Sequence, residues 1–449
     1  MFNFLIIVCA HILFKAIKVL KFGSGSTWPG HIALKLNPKF IKDLTHHSKL
    51  KVILIAGTNG KTTTSKLISF ILEKKGFRVF QNEEGANLLN GVASSLIRHI
   101  SFNGRIEYDY GIFEIDENNL PKILLQVVPE SIIVLNLFRD QLDRYGEVNS
   151  IAAHWKDCFK MLDKNTNLIL NGDDPQIYFL GQDTPAQVHY FGLEDTLMEK
   201  KDIPHDVDSI YCPVCATKLS YEKMSYSHLG QFFCPKCEFK RLRVITYSSS
   251  LLQSSLKGVY NYYNISAAFL FLQCSLGISE LDLSELVRNF TPAFGRQELI
   301  EYENKKIFLL LSKNPTGFNQ SIEVIKDFSK NSQHTVLIAL NDRIPDGRDI
   351  SWIWDVEFQN VLPIAKNVYI SGDRSYDMAL RFKYCFETDE KLSVKEGRID
   401  FAKCSVIENI EQALHTAIKQ ITEGETLVIL ATYSAMLEIR QIVVGRKLL

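Results

Sequence analysis

Residues 52–56, Val-Ile-Leu-Ile-Ala, run directly into Gly57-Thr58-Asn59-Gly60-Lys61-Thr62-Thr63-Thr64. No other stretch narrows the possible folds as far. A short apolar run bounded by glycine reads as a buried strand. Two glycines then permit a tight turn, and hydroxyl residues open a helix. Strand, loop and helix in that order aim backbone N–H groups of the loop and of the helix N-terminus at an anion. The ligand such a cradle fits is a phosphate. Within it Lys61 would reach the β- and γ-phosphates, and the Thr62 hydroxyl would hold Mg²⁺. The commoner form of the motif has a glycine five residues before Gly60, where this chain has Ile55, so the match is to a GTNGKT variant. A glycine turn without nucleotide is the competing reading, but Lys-Thr-Thr-Thr after a buried strand has little meaning as packing.

A chain of 449 residues has room for two or three domains with ample core. Lys+Arg and Asp+Glu balance at 51 each, so no bulk charge points to nucleic acid. Neither a low-complexity tract nor an internal repeat is present. Strand-like runs at 110–115, 131–137 and 167–170 alternate with helical patterns, which predicts a parallel α/β sheet covered on both faces. A second alternation runs through 307, 336, 368 and 427 and reads as a separate Rossmann-like domain. The expected divisions are an N-terminal apolar helix and linker over 1–45, an ATP-binding domain over 46–297 and a C-terminal domain over 298–449.

The nine cysteines suit a reducing compartment better than a secreted disulfide framework. Four of them form Cys212-Pro-Val-Cys215 and Cys234-Pro-Lys-Cys237, within an insert over 205–243. Two such knuckles brought together by a hairpin complete a tetrahedral Zn–S₄ site. All four positions come from protein, so the zinc is structural; a redox pair is the competing reading. Ribbons of this kind often bind nucleic acid, but this one lacks a basic surround. Residues 1–20 are unusually apolar. Lys15, Lys18 and Lys21 follow the apolar stretch, the reverse of a signal peptide, and the stretch is short for a bilayer span. A helix packed on the body and a helix lying in the membrane interface both remain open.

Glu114 and Asp116 end the 110–115 run, at the edge where open α/β sheets bind ligands. Glu114 is a candidate Mg²⁺ ligand, with an acid meeting a helix dipole as the alternative. Asn171-Gly-Asp-Asp-Pro175 reads either as a nucleotide-edge turn or as an Asx turn. Asn261 and Asn264 either hydrogen-bond an adenine edge or cap the apolar helix that begins there.

In their order along the chain, GTNGKTTT, Glu114, the turn Asp140-Gln141-Leu142-Asp143, Asn261-x-x-Asn264-x-x-Ala267-Ala268 and Gly295-Arg296 resemble the Mur ligase superfamily. This covers roughly residues 50–300. The resemblance implies an α/β Mur ligase central P-loop domain carrying the inserted zinc ribbon, and a Rossmann-like α/β C-terminal domain. It implies ATP held by Gly57, Thr58, Asn59, Gly60, Lys61, Thr62, Thr63, Asn264 and Arg296, with Thr62 and Glu114 on Mg²⁺. The family's metal-associated His is Gln141 here, which leaves the ligand at that position open. Lys156 lies near where related ligases carry a carbamylated lysine. Only about fifty residues precede the loop, too few for the UDP-binding domain of ligases that use UDP-linked precursors.

Three further stretches, KNPTGFNQ (313–320), DGRDISWIWDVEF (346–358) and SGDRSYDMALR (371–381), resemble one branch of that superfamily, extending the likeness to nearly the whole chain. Those subunits amidate the α-carboxyl of D-glutamate in the lipid II stem peptide to D-isoglutamine, using ammonia from a separate GatD-type glutaminase. The resemblance implies an acyl phosphate intermediate, a heterodimer, and work at the cytoplasmic face of the cell membrane. None of Cys9, Cys158, Cys274, Cys385 and Cys404 has the glycine-flanked setting of a nucleophile elbow, so glutamine hydrolysis falls to the partner. Asp349 would then supply the acid that orients the partner's catalytic His; capping of the Ser351 turn is the alternative. A stand-alone Mur or folylpolyglutamate-type ligase, joining an amino acid in place of ammonia, is the rival function.

Overall fold

A strand flanked by parallel neighbours and covered on both faces must be apolar along its whole length, and the run at 52–56 meets that demand. The computed structural model describes all residues except 1–5, 13, 15–26, 47, 84, 102–103, 141–147, 200–206, 291–295, 330–331, 386–392, 396–397, 402 and 446–449. Its first half contains β1 (Lys51–Ala56), β2 (Val79–Gln81), β3 (Tyr110–Ile115), β4 (Ser131–Val134), β5 (Asn167–Asn171), β6 (Gln187–Leu193), β7 (Ser220–Tyr226), β8 (Leu229–Phe233) and β9 (Ile245–Tyr247). Seven of these form one sheet in the order β2-β3-β1-β4-β5-β6-β9, with every ladder parallel. β7 and β8 form a separate antiparallel hairpin in the cysteine insert.

Strand β1 has β3 on one side and β4 on the other. The segments leaving β1, β3 and β4 therefore converge at one end of the sheet, where the chain reverses its direction of winding. Alternate β1 residues serve opposite cores. Ile53 and Ile55 pack with Leu67, Ile71 and Phe269 from the helices Lys61–Lys74 and Val259–Leu276. Leu54 packs with Val92, Leu96 and Trp155 from the helices Leu89–His99 and Val148–Phe159. Residues 6–12 are helical, and Ile6, Ile7 and Ala10 are buried in that second core. This part of the N-terminal stretch is thus packed on the body; Lys15, Lys18 and Lys21 lie outside the described residues. Among the described residues no helix is long and apolar enough to cross a membrane.

The second sheet comprises β10 (Arg296–Tyr302), β11 (Lys305–Leu311), β12 (His334–Ala339), β13 (Ala365–Ser371), β14 (Ser393–Lys395), β15 (Arg398–Phe401), β16 (Cys404–Val406) and β17 (Thr426–Ala431). Its order is β10-β11-β17-β12-β13-β16-β15-β14. The five inner strands are parallel, and the antiparallel strands at the two edges give a Rossmann-like sheet with mixed margins. The 297/298 division drawn from the sequence falls inside β10, since Arg296 and Gln297 already belong to the second sheet. A bulge separates Arg296 from Glu298, and Gln297 takes φ of 56°. Bulges re-aim side chains, and this one accompanies an Arg296 side chain turned back toward the first domain.

Candidate active site

The loop after β1 is held from all sides. Gly57 and Gly60 take φ of 131° and 93°, values that side chains rarely tolerate. A Cβ on Gly60 would lie 2.1 Å from Asn264 Oδ1, so only glycine lets the helix Val259–Leu276 press its amide against the loop. Asn136, just beyond β4, holds the other side. Its carbonyl accepts the Thr58 N–H at 3.1 Å and its Oδ1 accepts the Asn59 N–H at 2.8 Å. The Thr58 hydroxyl donates to the Phe138 carbonyl at 3.1 Å and accepts the Phe138 N–H at 3.0 Å.

Lys61 curls over this loop, donating to the Gly57 carbonyl and facing Glu117 at 3.6 Å. The Thr62 hydroxyl donates to Glu114 Oε2 at 2.7 Å, and Ser65 donates to Oε1 at 3.1 Å. Arg296 Nη2 reaches the same Thr62 oxygen at 3.0 Å. Thr62 and Glu114, the pair expected on Mg²⁺, thus stand side by side. A hydroxyl beside a carboxylate is a donor set suited to a hard divalent cation. Thr63, Asn59 and Asn264 line the adjoining cavity between the domains.

Beyond Arg296, the second domain contributes Lys313 and Asn314, which sequence reasoning places within KNPTGFNQ without giving either a role. Lys313, in the turn after β11, ion-pairs with Asp140. Burial lowers the affinity of the Lys313 amine for its proton, but Asp140 and then Glu117 raise it further, so the ammonium persists. The side chains of Asn314 and Asn59 exchange hydrogen bonds at 3.1 and 3.4 Å across the domains. Lys61, Arg296 and Lys313 line one cavity with Glu114, Asp140 and Glu117. The rule that ligands gather at strand ends already pointed at Lys313, the second residue after β11.

Other expected residues lie elsewhere. Lys156 is not in this cavity: its ammonium donates to the carbonyls of Phe179, at 3.0 Å, and Gln182, and sits 4.4 Å from the Phe179 ring centre. Burial lowers its pKa. The Asn171–Pro175 turn is the Asx turn offered as an alternative, with the Asp173 N–H donating to Asn171 Oδ1 at 3.0 Å, and its acids are tied up internally. Asp173 binds Arg241 and accepts from Tyr263 at 2.8 Å, while Asp174 caps the helix Pro175–Leu180 and lies 3.3 Å from His228. Asn261, by contrast, lines the cavity adjoining the loop with Asn264; it donates to the Lys257 carbonyl at 2.7 Å and accepts from Asn264 at 3.1 Å. Gly258 occupies the cap position of their helix, so neither Asn caps it. Gln141 and Gly295 lie outside the described residues.

Asp349 lines a neighbouring cavity with Arg139, Asp140, Lys313 and Asp355. Its Oδ1 accepts the Ser351 N–H at 2.8 Å, the turn-capping contact the sequence offered as an alternative. Asp346 is buried and accepts the Ser434 N–H at 2.8 Å, and Asp355 pairs with Arg139 at 3.3 Å. In the insert the four Sγ atoms of Cys212, Cys215, Cys234 and Cys237 all lie within 4.8 Å of one another. Cys212 and Cys237 are 3.6 Å apart and Cys215 and Cys234 3.5 Å. A tetrahedron of ~2.3 Å metal–sulfur bonds has edges of about 3.8 Å, so the set fits one metal ion.

A P-loop at the switch point of a parallel sheet, completed by a cation from a following Rossmann-like domain, defines the Mur ligase class. The Mur ligase middle domain family matches residues 55–272, and the MurT ligase C-terminal family matches residues 311–436. Among solved structures, a pseudomurein peptide ligase type C from Methanothermus fervidus superposes with a TM-score of 0.62 at 21% identity, covering 89% of this chain and 79% of its own. The MurT subunit of lipid II isoglutaminyl synthase (glutamine-hydrolyzing) from Streptococcus pneumoniae (strain ATCC BAA-255 / R6) is 30% identical over 95% of this chain and 94% of its own. That of Staphylococcus aureus (strain COL) is 30% identical over 80% and 83%. The chain belongs to the MurT family.

Proposed function

We propose that this chain is the ATP-dependent synthetase half of a glutamine-dependent amidotransferase that converts the D-glutamate α-carboxyl of lipid II to D-isoglutamine. Beyond family membership, one observation carries the reading. Asp140 and Lys313 line both the phosphate-loop cavity and the cavity that holds Asp349, so a site for acyl activation adjoins the segment expected to meet a glutaminase.

A carboxylate is a poor electrophile. One of its oxygens attacks the γ-phosphorus of ATP, ADP departs, and an acyl phosphate forms. The nitrogen of ammonia then attacks the acyl carbon, phosphate leaves with the carboxyl oxygen, and the nitrogen sheds a proton. Loop N–H groups and Lys61 hold the phosphates, and Arg296 and Lys313 offset charge as it moves between oxygens. Magnesium, held by Thr62 and Glu114, would supply further neutralisation of phosphate charge. Asp349 acts in the partner's chemistry by orienting a His of a GatD-type glutaminase, with its second oxygen, since Oδ1 caps the Ser351 turn. The cysteine cluster holds zinc as a structural ion. The enzyme works at the cytoplasmic face of the membrane as a peripheral heterodimer.

Reconstitution with a glutaminase partner tests the whole reading. Glutamine, ATP and lipid II together should yield amidated lipid II, and omission of ATP should abolish it. ATP-dependent attachment of an amino acid in place of ammonia would overturn it.

A further inference from the structure

The helix Trp28–Leu36 carries large apolar residues on its outer face. Its small residues Pro29, Gly30 and Ala33 are buried and Leu34 packs against the core, while the large apolar residues Trp28, Ile32 and Leu36 are 65%, 36% and 53% exposed. The inner face has no room for more. The Gly30 N–H donates to Ser94 Oγ at 2.8 Å, and a Cβ on Gly30 would lie 2.0 Å from the Asn90 carbonyl oxygen. Close seating on the helix Leu89–His99 therefore explains the small residues. It does not explain why the outer ones are large.

Positions 28, 32 and 36 recur every four residues and form one stripe. The turn after Leu124 extends it, because Gln126 Nε2 donates to the Pro38 carbonyl at 2.9 Å, just past the helix end. Beside that contact Leu125 and Val128 are 70% and 73% exposed. Single exposed apolar side chains are ordinary, whereas contiguous ones mark an interaction surface. Lys35 on this helix, Lys39 and Lys42 on the segment that follows it and Lys122 in the helix Leu120–Leu124 are all exposed, and Asp43, the acid among residues 28–46, is engaged by Asn37 at 2.8 Å. In a chain whose charges balance overall, this is a local excess of cations around an apolar stripe.

We propose that this face docks on a membrane bearing anionic headgroups. The stripe enters the acyl boundary and the lysines meet lipid phosphates, with Trp28 as the interfacial aromatic. The proposal rests on the reading that the substrate is lipid-linked, and position supports it. The helix Leu89–His99, directly behind the stripe, is preceded by Asn87 and Leu88, which line the phosphate-loop cavity. A docked face thus lies one helix away from the site that a lipid-borne carboxylate must reach.

The test is sedimentation of the full chain, alone and with its glutaminase partner, with vesicles of mixed phosphatidylglycerol and phosphatidylcholine against phosphatidylcholine alone. The wild type should bind the anionic vesicles more tightly. Ile32→Ser/Leu36→Ser/Leu125→Ser and Lys35→Gln/Lys39→Gln/Lys42→Gln should each weaken that binding by about 10-fold or more, with melting temperature and ATP hydrolysis preserved. Wild-type emission should shift to the blue on binding, and Trp28→Phe should lose that shift. No binding by the wild type, or equal binding by the variants, overturns the proposal. So does a variant that loses the glutaminase while keeping the vesicles, which would make this face a protein interface. Amidation of detergent-solubilised lipid II is measured separately. Its failure in the wild type counts against the function and leaves the vesicle result readable.

Discussion

The two ends of the cleft are built differently. At the phosphate end, Thr58, Asn59, Gly60, Thr62 and Glu114 are each fixed by contacts from Asn136, Phe138, Asn264, Ser65 or Arg296. At the other end Asp349 is half-buried, and among the described residues its one side-chain hydrogen bond is to the Ser351 N–H. Phosphoryl transfer rewards positioning above all, which is what the contacts at the first end supply among the described residues. A group that serves a partner's histidine must stay open until the partner arrives. The contrast teaches that, on the proposed reading, this chain carries the phosphate site among its own residues and part of a second site shared with a partner.

The largest expected effect comes from the open end. Asp349→Asn should cut glutamine hydrolysis by the bound partner by about 10³-fold or more, because an amide cannot hold a histidine in its working tautomer or stabilise its cation. Ammonium at high concentration should restore amidation of lipid II. Unchanged glutamine-driven amidation, with the complex shown to be intact, would move the role to Asp346 or Asp355. Lys61→Ala strikes the closed end and should behave oppositely. Loss of about 10³-fold is expected with either nitrogen source, as for removal of one preorganised donor to transition-state charge. Rescue of that variant by ammonium would break the distinction between the two ends.

How much of this was legible in the sequence follows from how local each device is. The phosphate loop, Thr62 and the strand-end Glu114 are set by spacing within a single strand–loop–helix unit, and the cysteine knuckles by spacing within one insert. Lys313 and Asn136 lie just past strand ends, and Lys313 opens the 313–320 stretch, but their roles at the loop come only from folding, which brings each against residues far away in the chain. For the same reason the sequence could not choose between the two readings of Asn171–Pro175, of which the Asx turn holds. Its acids look like a ligand edge, yet Arg241, Tyr263 and His228 arrive from later segments and turn it into internal packing. The outward stripe on Trp28–Leu36 was hidden because an apolar helix pattern does not say which face is buried.

Lys313→Met sharpens the contrast from the hinge. It should lower amidation by about 10²-fold with both nitrogen sources, and it strands the buried Asp140 carboxylate. The double variant Lys313→Met/Asp140→Asn should regain stability without regaining rate. Recovery of rate would mean that the pair only holds the domains together. Cys234→Ser should have a smaller effect on rate and a large one on the insert. Purified protein should lose its roughly one zinc per chain and melt earlier. Freshly reduced wild type without zinc would refute the metal assignment.

Lys156 should matter least to chemistry. Its ammonium is a donor facing carbonyl oxygens of Phe179 and Gln182, with Asp183 at 3.5 Å. Carbamylation would replace that cation with an anion among acceptors, an arrangement electrostatics opposes. Lys156 also lies in the cavity shared by Cys212 and Pro213, not in the one lined by Lys61. Lys156→Met should therefore leave amidation per folded molecule within about 2-fold of wild type, because no transition-state contact is lost. The melting temperature should fall, since two carbonyls lose a donor at a cost of about 1–3 kcal/mol. Bicarbonate should change neither variant nor wild type. A rate that collapses in Lys156→Met and returns with a short-chain carboxylate would place a carbamate in the mechanism and make the phosphate end less self-contained than its geometry says.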